Sequence, residues 1–283
     1  MPKTLIKKLL FISLTCALSF LLISSFSHTR GVKVPILMYH HFDENVASDM
    51  IVSPETFDMH MRTLHEAGYT AITFDELVDY VENGTPLPQN PICITMDDGY
   101  LSNYTYAYPI LKKYGMKATV FVIGSTAGST HYRDTEYEIL PYFDWDKASE
   151  MLSSGVMDIQ CHTYDLHHWA PYEIGDRPIR GNVLPLKGES QSEYKQVLTA
   201  DFNTFIEISQ TKLGKTPTVM AYPNGKYTAE SEEILHSLGF KVTLTTNSRT
   251  NYIFKDDEKT LFLLGRYTIT DDISAKELLD IIK

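Results

Sequence analysis

Cysteine is scarce in this chain. Its 283 residues include only Cys16, Cys93 and Cys161, with no CxxC pair among them, which rules out a disulfide-framed fold and a thiolate zinc centre. Any metal chemistry therefore rests on histidine and aspartate. Basic charge is short as well: 25 Lys and Arg face 36 Asp and Glu, a net −11, and such a balance does not attract nucleic-acid phosphates. No nucleic-acid partner is expected. A glycine-rich dinucleotide fingerprint is missing, which argues against a Rossmann sheet, and no internal repeat is visible. Disorder is excluded too, because 43% hydrophobic and 22% charged residues suffice to bury a core. The length allows one domain or two.

What is present begins with one long apolar run. Lys3, Lys7 and Lys8 precede Leu9 to Phe26, 18 residues without a charge, the lower limit for a helix that spans a bilayer. The lysines are held on the cytoplasmic side, so the folded part is expected outside the cell membrane. Ser25 and Ser27 have the small-residue spacing of a signal-peptidase site before His28. Residues 1–30 thus read as a cleaved signal peptide or a retained membrane anchor, and residues 31–283 as one extracytoplasmic domain, secreted or held at the outer face. Cys16 reads as one more apolar residue of the run. Without residues 1–27 the chain keeps 22 basic and 36 acidic residues, read mainly as a solubility feature.

From Val34 onward, apolar runs of strand length alternate with helical patterns. Val34 to Met38 (VPILM) reads as a buried strand ending at Tyr39, His40 and His41. Ser53 and Pro54 follow as N-cap and first helical residue, with Phe57, Met61 and Leu64 as the apolar stripe. Further strands are expected at 71–74, 92–96, 118–123, 156–160, 218–221, 240–245 and 261–264, and helices near 75–81, 103–114, 145–153, 192–213, 228–238 and 274–282. Repeating units of this kind favour a parallel α/β barrel, whose chemistry sits at the carboxyl ends of its strands. Residues 168–190, rich in proline and glycine, break the rhythm and read as an active-site loop or insertion.

Two segments at such ends carry reactive side chains. Thr95 to Gly99 (TMDDG) sets Asp97 and Asp98 at a strand terminus, as a solvated Asp-Gly turn or as working carboxylates. Cys161 to Trp169 (CHTYDLHHW) puts His162, His167 and His168 within seven residues, a density that points to metal ligation. One aspartate and two histidines at the same barrel face make a three-ligand metal site with open positions for water and substrate. Strand alternation turns Cys161 away from His162, as a buried thiol, and Cys93 is expected in the core.

At these two segments, and over about residues 34 to 270, the sequence resembles the polysaccharide deacetylases of the NodB homology fold, carbohydrate esterase family 4. The family's T-F-D-D-G motif matches Thr95 to Gly99 with Met96 in place of Phe, and its second motif matches His162, Thr163 and His167. The resemblance implies a deformed (β/α)7-type barrel, Asp97 as general base, and Asp98, His162 and His167 as ligands of a divalent metal, zinc ahead of cobalt or nickel. The two histidines are five apart in numbering, where in the commonest version they are four apart. That interval is similar to the branch that deacetylates poly-N-acetylglucosamine in biofilm matrices, and it selects His167 over His168.

Two departures from the family pattern matter. The R-P-P-Y-G motif falls on Ala221, Tyr222, Pro223, Asn224 and Gly225, without the arginine that orients the base. Arg266, after the expected strand at 261–264, is the candidate replacement and is grouped with Asn224, Tyr222 and Trp169 on the substrate side. The usual carboxyl-terminal Leu-x-His is also missing, LLGRY standing there instead. The biofilm branch carries its acid histidine near the amino terminus, which matches Tyr39 and His40, with His41 the alternative. By the same resemblance the backbone near Asn224 binds the oxyanion. Trp145, Tyr164, Trp169 and Tyr222 read as sugar-stacking walls or as packing around the barrel mouth. The implied activity is release of acetate from an N-acetylglucosamine polysaccharide, poly-N-acetylglucosamine ahead of peptidoglycan or chitooligosaccharides. The reading from another class is a non-catalytic carbohydrate-binding protein on a degenerate barrel.

Overall fold

All six residues of Pro91–Met96 are buried, a pattern that marks a strand covered on both faces. This strand lies in the middle of the main sheet. The computed structural model describes residues 31–169 and 179–283, so the signal or anchor expected in residues 1–30 lies outside them. In chain order the strands are β1 (Val32–Val34), β2 (Ile36–Tyr39), β3 (His41–Phe42), β4 (Ile51–Val52), β5 (Thr70–Ala71), β6 (Pro91–Met96), β7 (Ala118–Val122), β8 (Met157–Cys161), β9 (Val219–Ala221), β10 (Val242–Leu244), β11 (Asn251–Ile253) and β12 (Tyr267–Thr268). The helices are α1 (Pro54–Glu66), α2 (Phe74–Asn83), α3 (Tyr108–Tyr114), α4 (Trp145–Ser153), α5 (Gln191–Leu213), α6 (Ala229–Ser237) and α7 (Ala275–Ile282). Among the described residues no helix is long and apolar enough to cross a membrane.

Parallel strands need crossover connections, and here helices supply most of them. The main sheet runs β10-β9-β8-β7-β6-β2-β12, with β5 paired to the start of β6. It curls until its edges approach: Leu264, ahead of β12, bridges Leu244 at the end of β10, and the Thr245 N–H donates to the Leu264 carbonyl at 2.8 Å. The result is the deformed (β/α) barrel expected from the sequence. Two small ribbons, β1 with β11 and β3 with β4, flank it.

Alternation along the strands sorts side chains into two cores. Leu37, Ile94, Met96, Val120, Ile159 and Cys161 belong to the core shared with the helices, while Ile36, Cys93, Phe121, Val219 and Ala221 pack on the inner face with Phe74 and Leu77 of α2. Both described cysteines are thus buried thiols, Cys161 on the side opposite His162. Against the outer core α5 docks with Leu198, Phe202 and Phe205, all fully buried and each worth about 1.5–3 kcal/mol. The inner parity continues from Cys93 to Thr95 and Asp97, and from Gln160 to His162. A one-residue slip would turn both site residues into the helix layer.

Two expected elements end differently. The strand at 71–74 stops at Ala71, because Thr73 is an N-cap: its side chain accepts the Glu76 N–H at 3.2 Å, and Glu76 Oε2 accepts the Thr73 N–H at 2.8 Å. The strand at 261–264 is absent. A 3-10 turn occupies Glu258–Leu261, Leu263 has a left-handed φ of 54°, and the pairing edge is instead β12. Leu261 and Leu264 are buried in the inner core, so the apolar run records burial without extended pairing, which periodicity cannot separate in so short a run.

Candidate active site

The TMDDG segment leaves β6 through a sharp turn. Asp97 is still tied to the sheet, its N–H donating to the Tyr39 carbonyl at 3.0 Å, whereas Asp98 (φ 71°) and Gly99 (φ 91°) are left-handed. Aspartate tolerates that region better than most residues, and at Gly99 a Cβ would also meet Val122 Cγ1 at 3.3 Å. Both carboxylates are thereby buried, Asp97 at 2% and Asp98 at 8% exposure.

Arg266 meets Asp97 from across the barrel. The guanidinium donates from Nη1 to Oδ1 at 2.6 Å and from Nη2 to Oδ2 at 2.8 Å, while its Nε donates to the Thr245 carbonyl at 3.1 Å. This two-pronged geometry suits a planar guanidinium. Burial by itself would raise the Asp97 pKa, but Arg266 foremost, then His162 and His40, hold the carboxyl well below the usual carboxylate range. The expectation that Arg266 replaces the missing motif arginine agrees with this geometry. Its grouping with substrate-side residues does not, since the side chain is wholly buried and its fork is spent on Asp97.

His40 Nε2 lies 3.9 Å from Asp97 Oδ2, and Asn103 Nδ2 donates to the His40 carbonyl at 2.8 Å. His41 looks elsewhere. Its Nδ1 is 2.9 Å from Ser102 Oγ, its Nε2 is 3.8 Å from Asp43 Oδ2, and burial lowers its pKa.

Asp98 faces the histidines from the end of β8. His162 donates from Nδ1 to the Ala221 carbonyl at 2.7 Å, and His167 donates from Nδ1 to the Gly181 carbonyl at 3.0 Å. A carbonyl only accepts, so in the neutral ring the proton sits on Nδ1 and Nε2 is the ligand atom. Those Nε2 atoms lie 3.5 Å and 3.8 Å from Asp98 Oδ1. Burial, opposed by Asp97 and Asp98, pushes the His162 imidazole down to about 4, so it is neutral near pH 7. His168 turns away, its Nε2 2.6 Å from the Asp165 carbonyl.

Among the described residues Asp98, His162 and His167 form a group whose ligand atoms lie within 4.8 Å of one another. Asp98 Oδ1, at the centre of that group, is buried without a hydrogen-bond partner. Leaving such an oxygen unsatisfied costs about 1–3 kcal/mol or more. A carboxylate oxygen and two unprotonated imidazole nitrogens with backbone-fixed rings fit a divalent cation, and zinc in particular.

Other expected contacts fall differently. Tyr222 is fully buried, donating to Glu232 Oε1 at 2.5 Å and accepting from Ser231 Oγ at 3.2 Å, so it has no face for a sugar. Trp145 packs edge-on against Phe205, ring centroids 6.4 Å apart, in the helix-side core. Tyr164 and Trp145 are each partly buried and Trp169 is 64% exposed, so of the four aromatics Tyr222 alone is closed to solvent. Asn224 stands exposed at φ 56° in a tight turn, its Nδ2 donating to the Gly181 carbonyl at 3.1 Å.

Sequence reasoning missed three contributors. The Gly181 carbonyl, inside the irregular segment, receives both His167 and Asn224. Tyr100 and Tyr142 stack at 5.0 Å between centroids, and burial followed by the Asp98 charge pushes both phenols far above their usual value. They remain protonated beside Asp98. Tyr100 directly follows the DDG turn and could have been found from that position; nothing near Tyr142 announces it.

A curled parallel sheet with a carboxylate and two imidazoles converging beside an arginine-held aspartate defines a hydrolase-type site. Residues 84–243 match the family model described as polysaccharide deacetylase. YxkH of Bacillus subtilis (strain 168), named for polysaccharide deacetylases, is 30% identical over 217 residues, covering 77% of this chain and 66% of that one. The poly-beta-1,6-N-acetyl-D-glucosamine N-deacetylase of Escherichia coli (strain K12) is 24% identical over 230 residues, covering 75% of this chain but 34% of its own length. Among solved structures, IcaB from Ammonifex degensii superposes with a TM-score of 0.71 at 27% identity, over 89% of this chain and 98% of that one. The chain belongs to the polysaccharide deacetylases, a family of carbohydrate-modifying hydrolases.

Proposed function

We propose that this protein removes N-acetyl groups from an N-acetylglucosamine polymer, poly-N-acetylglucosamine foremost, in a reaction that requires a divalent metal, zinc ahead of cobalt or nickel. The observation that carries the metal reading is the partnerless Asp98 Oδ1 facing two backbone-oriented imidazoles. The polymer is supported by what the E. coli relative is named to act on and by the five-residue interval between His162 and His167. We further propose that the apolar segment at residues 9–26 carries the domain across the membrane, as a signal or an anchor, so that it works on extracytoplasmic polymer.

A cation held by Asp98, His162 and His167 supplies Lewis acidity toward carbonyl and water oxygens. Asp97, kept ionised by Arg266, accepts the proton of the attacking water. Its two oxygens cannot rotate away while both Nη atoms hold them, so the base is positioned before substrate arrives. His40, beside Asp97 at the barrel mouth, donates a proton to the departing sugar amine. The backbone at Asn224 offers an N–H to the developing oxyanion, a contribution commonly worth about 3–4 kcal/mol.

The direct test is acetate release by the full chain from poly-β-1,6-N-acetylglucosamine, chitopentaose and peptidoglycan, with added zinc and against Asp97→Asn. Release from the first substrate that depends on Asp97 is expected. Preference for either of the others reassigns the polymer, and metal uptake without release from any of them favours a binding protein. A second measurement separates the adjacent histidines. His40→Ala should lower kcat by about 10²-fold or more, whereas His41→Ala should leave it near wild type; the opposite ranking would move the acid one residue on.

A further inference from the structure

The turn joining the two ligand histidines uses backbone that few side chains adopt unaided. Thr163, directly after His162, has a φ of 72°, which is unfavourable for a β-branched residue. The chain is irregular there, so the next two N–H groups need partners from outside the turn. Both find the same carboxylate: Tyr164 N–H donates to Asp201 Oδ1 at 2.8 Å and Asp165 N–H donates to Asp201 Oδ2 at 2.7 Å. From the other side, the Thr163 and Tyr164 carbonyls accept the N–H groups of Gly124 and Ser125 at 3.1 and 2.8 Å.

Asp201 sits inside α5 and is only 7% exposed. Aspartate is a poor helix former and is seldom buried, and burial pushes this carboxyl up to about 7 against the pull of the two N–H groups. A residue that conflicts with its own helix and its own solvation marks a place where something other than stability of that helix is served. The bonds it makes lie entirely within the four residues between His162 and His167.

We propose that Asp201 is a positioning residue, whose carboxylate fixes the turn at 163–165 and thereby the interval at which His162 and His167 both face Asp98. The proposal rests on the reading of Asp98, His162 and His167 as metal ligands. Asp201 touches neither cation nor substrate; it acts through the backbone that carries the rings.

The test is a cobalt titration of the full chain, followed by visible absorption of the bound ion. Asp201→Asn keeps the side-chain shape but leaves one good acceptor oxygen for two donors, so it should weaken cobalt binding about 10- to 100-fold and shift the absorption band. Asp158→Asn is the control: a buried carboxylate in β8, paired with Lys215, whose loss should lower the melting temperature and leave cobalt affinity and band unchanged. An Asp201→Asn chain that binds cobalt like wild type overturns the proposal, as does a control that weakens binding equally. Wild-type chain that takes up no cobalt overturns the ligand reading beneath it. Should Asp201→Asn fail to fold, amide exchange on wild type decides: Tyr164 and Asp165 should be protected without metal and more so with zinc, and unprotected amides refute the clamp.

Discussion

Replacing Arg266 by Met should lower the free energy of unfolding by about 3–5 kcal/mol. The guanidinium is wholly buried with both Nη atoms on Asp97, so its removal strands a carboxylate in the protein interior. The double variant Arg266→Met with Asp97→Asn removes both charges and should recover most of that stability, because a buried pair contributes little net as a unit. Turnover should stay lost in both. Arg266→Lys should fall between, since one ammonium cannot serve both carboxylate oxygens. Urea unfolding of wild type, Arg266→Met, Asp97→Asn and the double variant measures the cycle, and additive effects of the two substitutions would contradict the pairing.

The pH dependence has a definite sign. Asp97 is held below its ordinary unfolded value of about 3.9, and a carboxyl lowered in the fold adds stability that is complete above its unfolded pKa and fades as pH falls toward the folded one. In Arg266→Met, burial without its counter-charge raises the same carboxyl. The stability gap between wild type and variant should therefore be widest at neutral pH and narrow on acidification. A gap that widens toward acid would be incompatible with the pair.

Asp98→Ala, His162→Ala and His167→Ala should each reduce acetate release to that of chelated wild type, and zinc should restore activity to the chelated wild type alone. Loss of the Lewis acid removes several kcal/mol of transition-state stabilisation. Metal content measured beside turnover separates this from a folding defect, and normal content in all three variants would dissolve the ligand set. The metal-free chains supply a contrast with Arg266. Asp98 Oδ1 has no partner, so metal-free Asp98→Asn, whose side chain also suits the φ of 71°, should be at least as stable as metal-free wild type, which is the opposite of what Arg266→Met should show.

The barrel was largely legible because its strands are buried on both faces and punctuated by helix caps. Ser53 with Pro54, and the full extent of α4 at Trp145–Ser153, follow from local chemistry alone. Leu261 to Leu264 misled, since burial and strand pairing look alike in a short apolar run. The convergence of Asp98, His162 and His167 could be read from motif residues at strand ends, where position follows from the sheet. The sugar wall could not. That Tyr222 is closed to solvent and Trp145 half-covered depends on contacts with Glu232 and Phe205, and no local signal records those contacts. Asp201 was invisible for the same reason: an aspartate in a helical pattern reads as surface until the turn it clamps is seen.

The source of the arginine also sets an order of assembly. Asp97 and Arg266 are 169 positions apart, and Arg266 enters β12, the last strand and the edge of the sheet. During synthesis Asp97, Asp98, His162 and His167 all emerge before it. A chain halted ahead of β12 holds every candidate ligand and the candidate base, yet nothing to fix that base. The arginine-held form of Asp97 therefore exists only once the carboxyl-terminal edge has closed on the sheet.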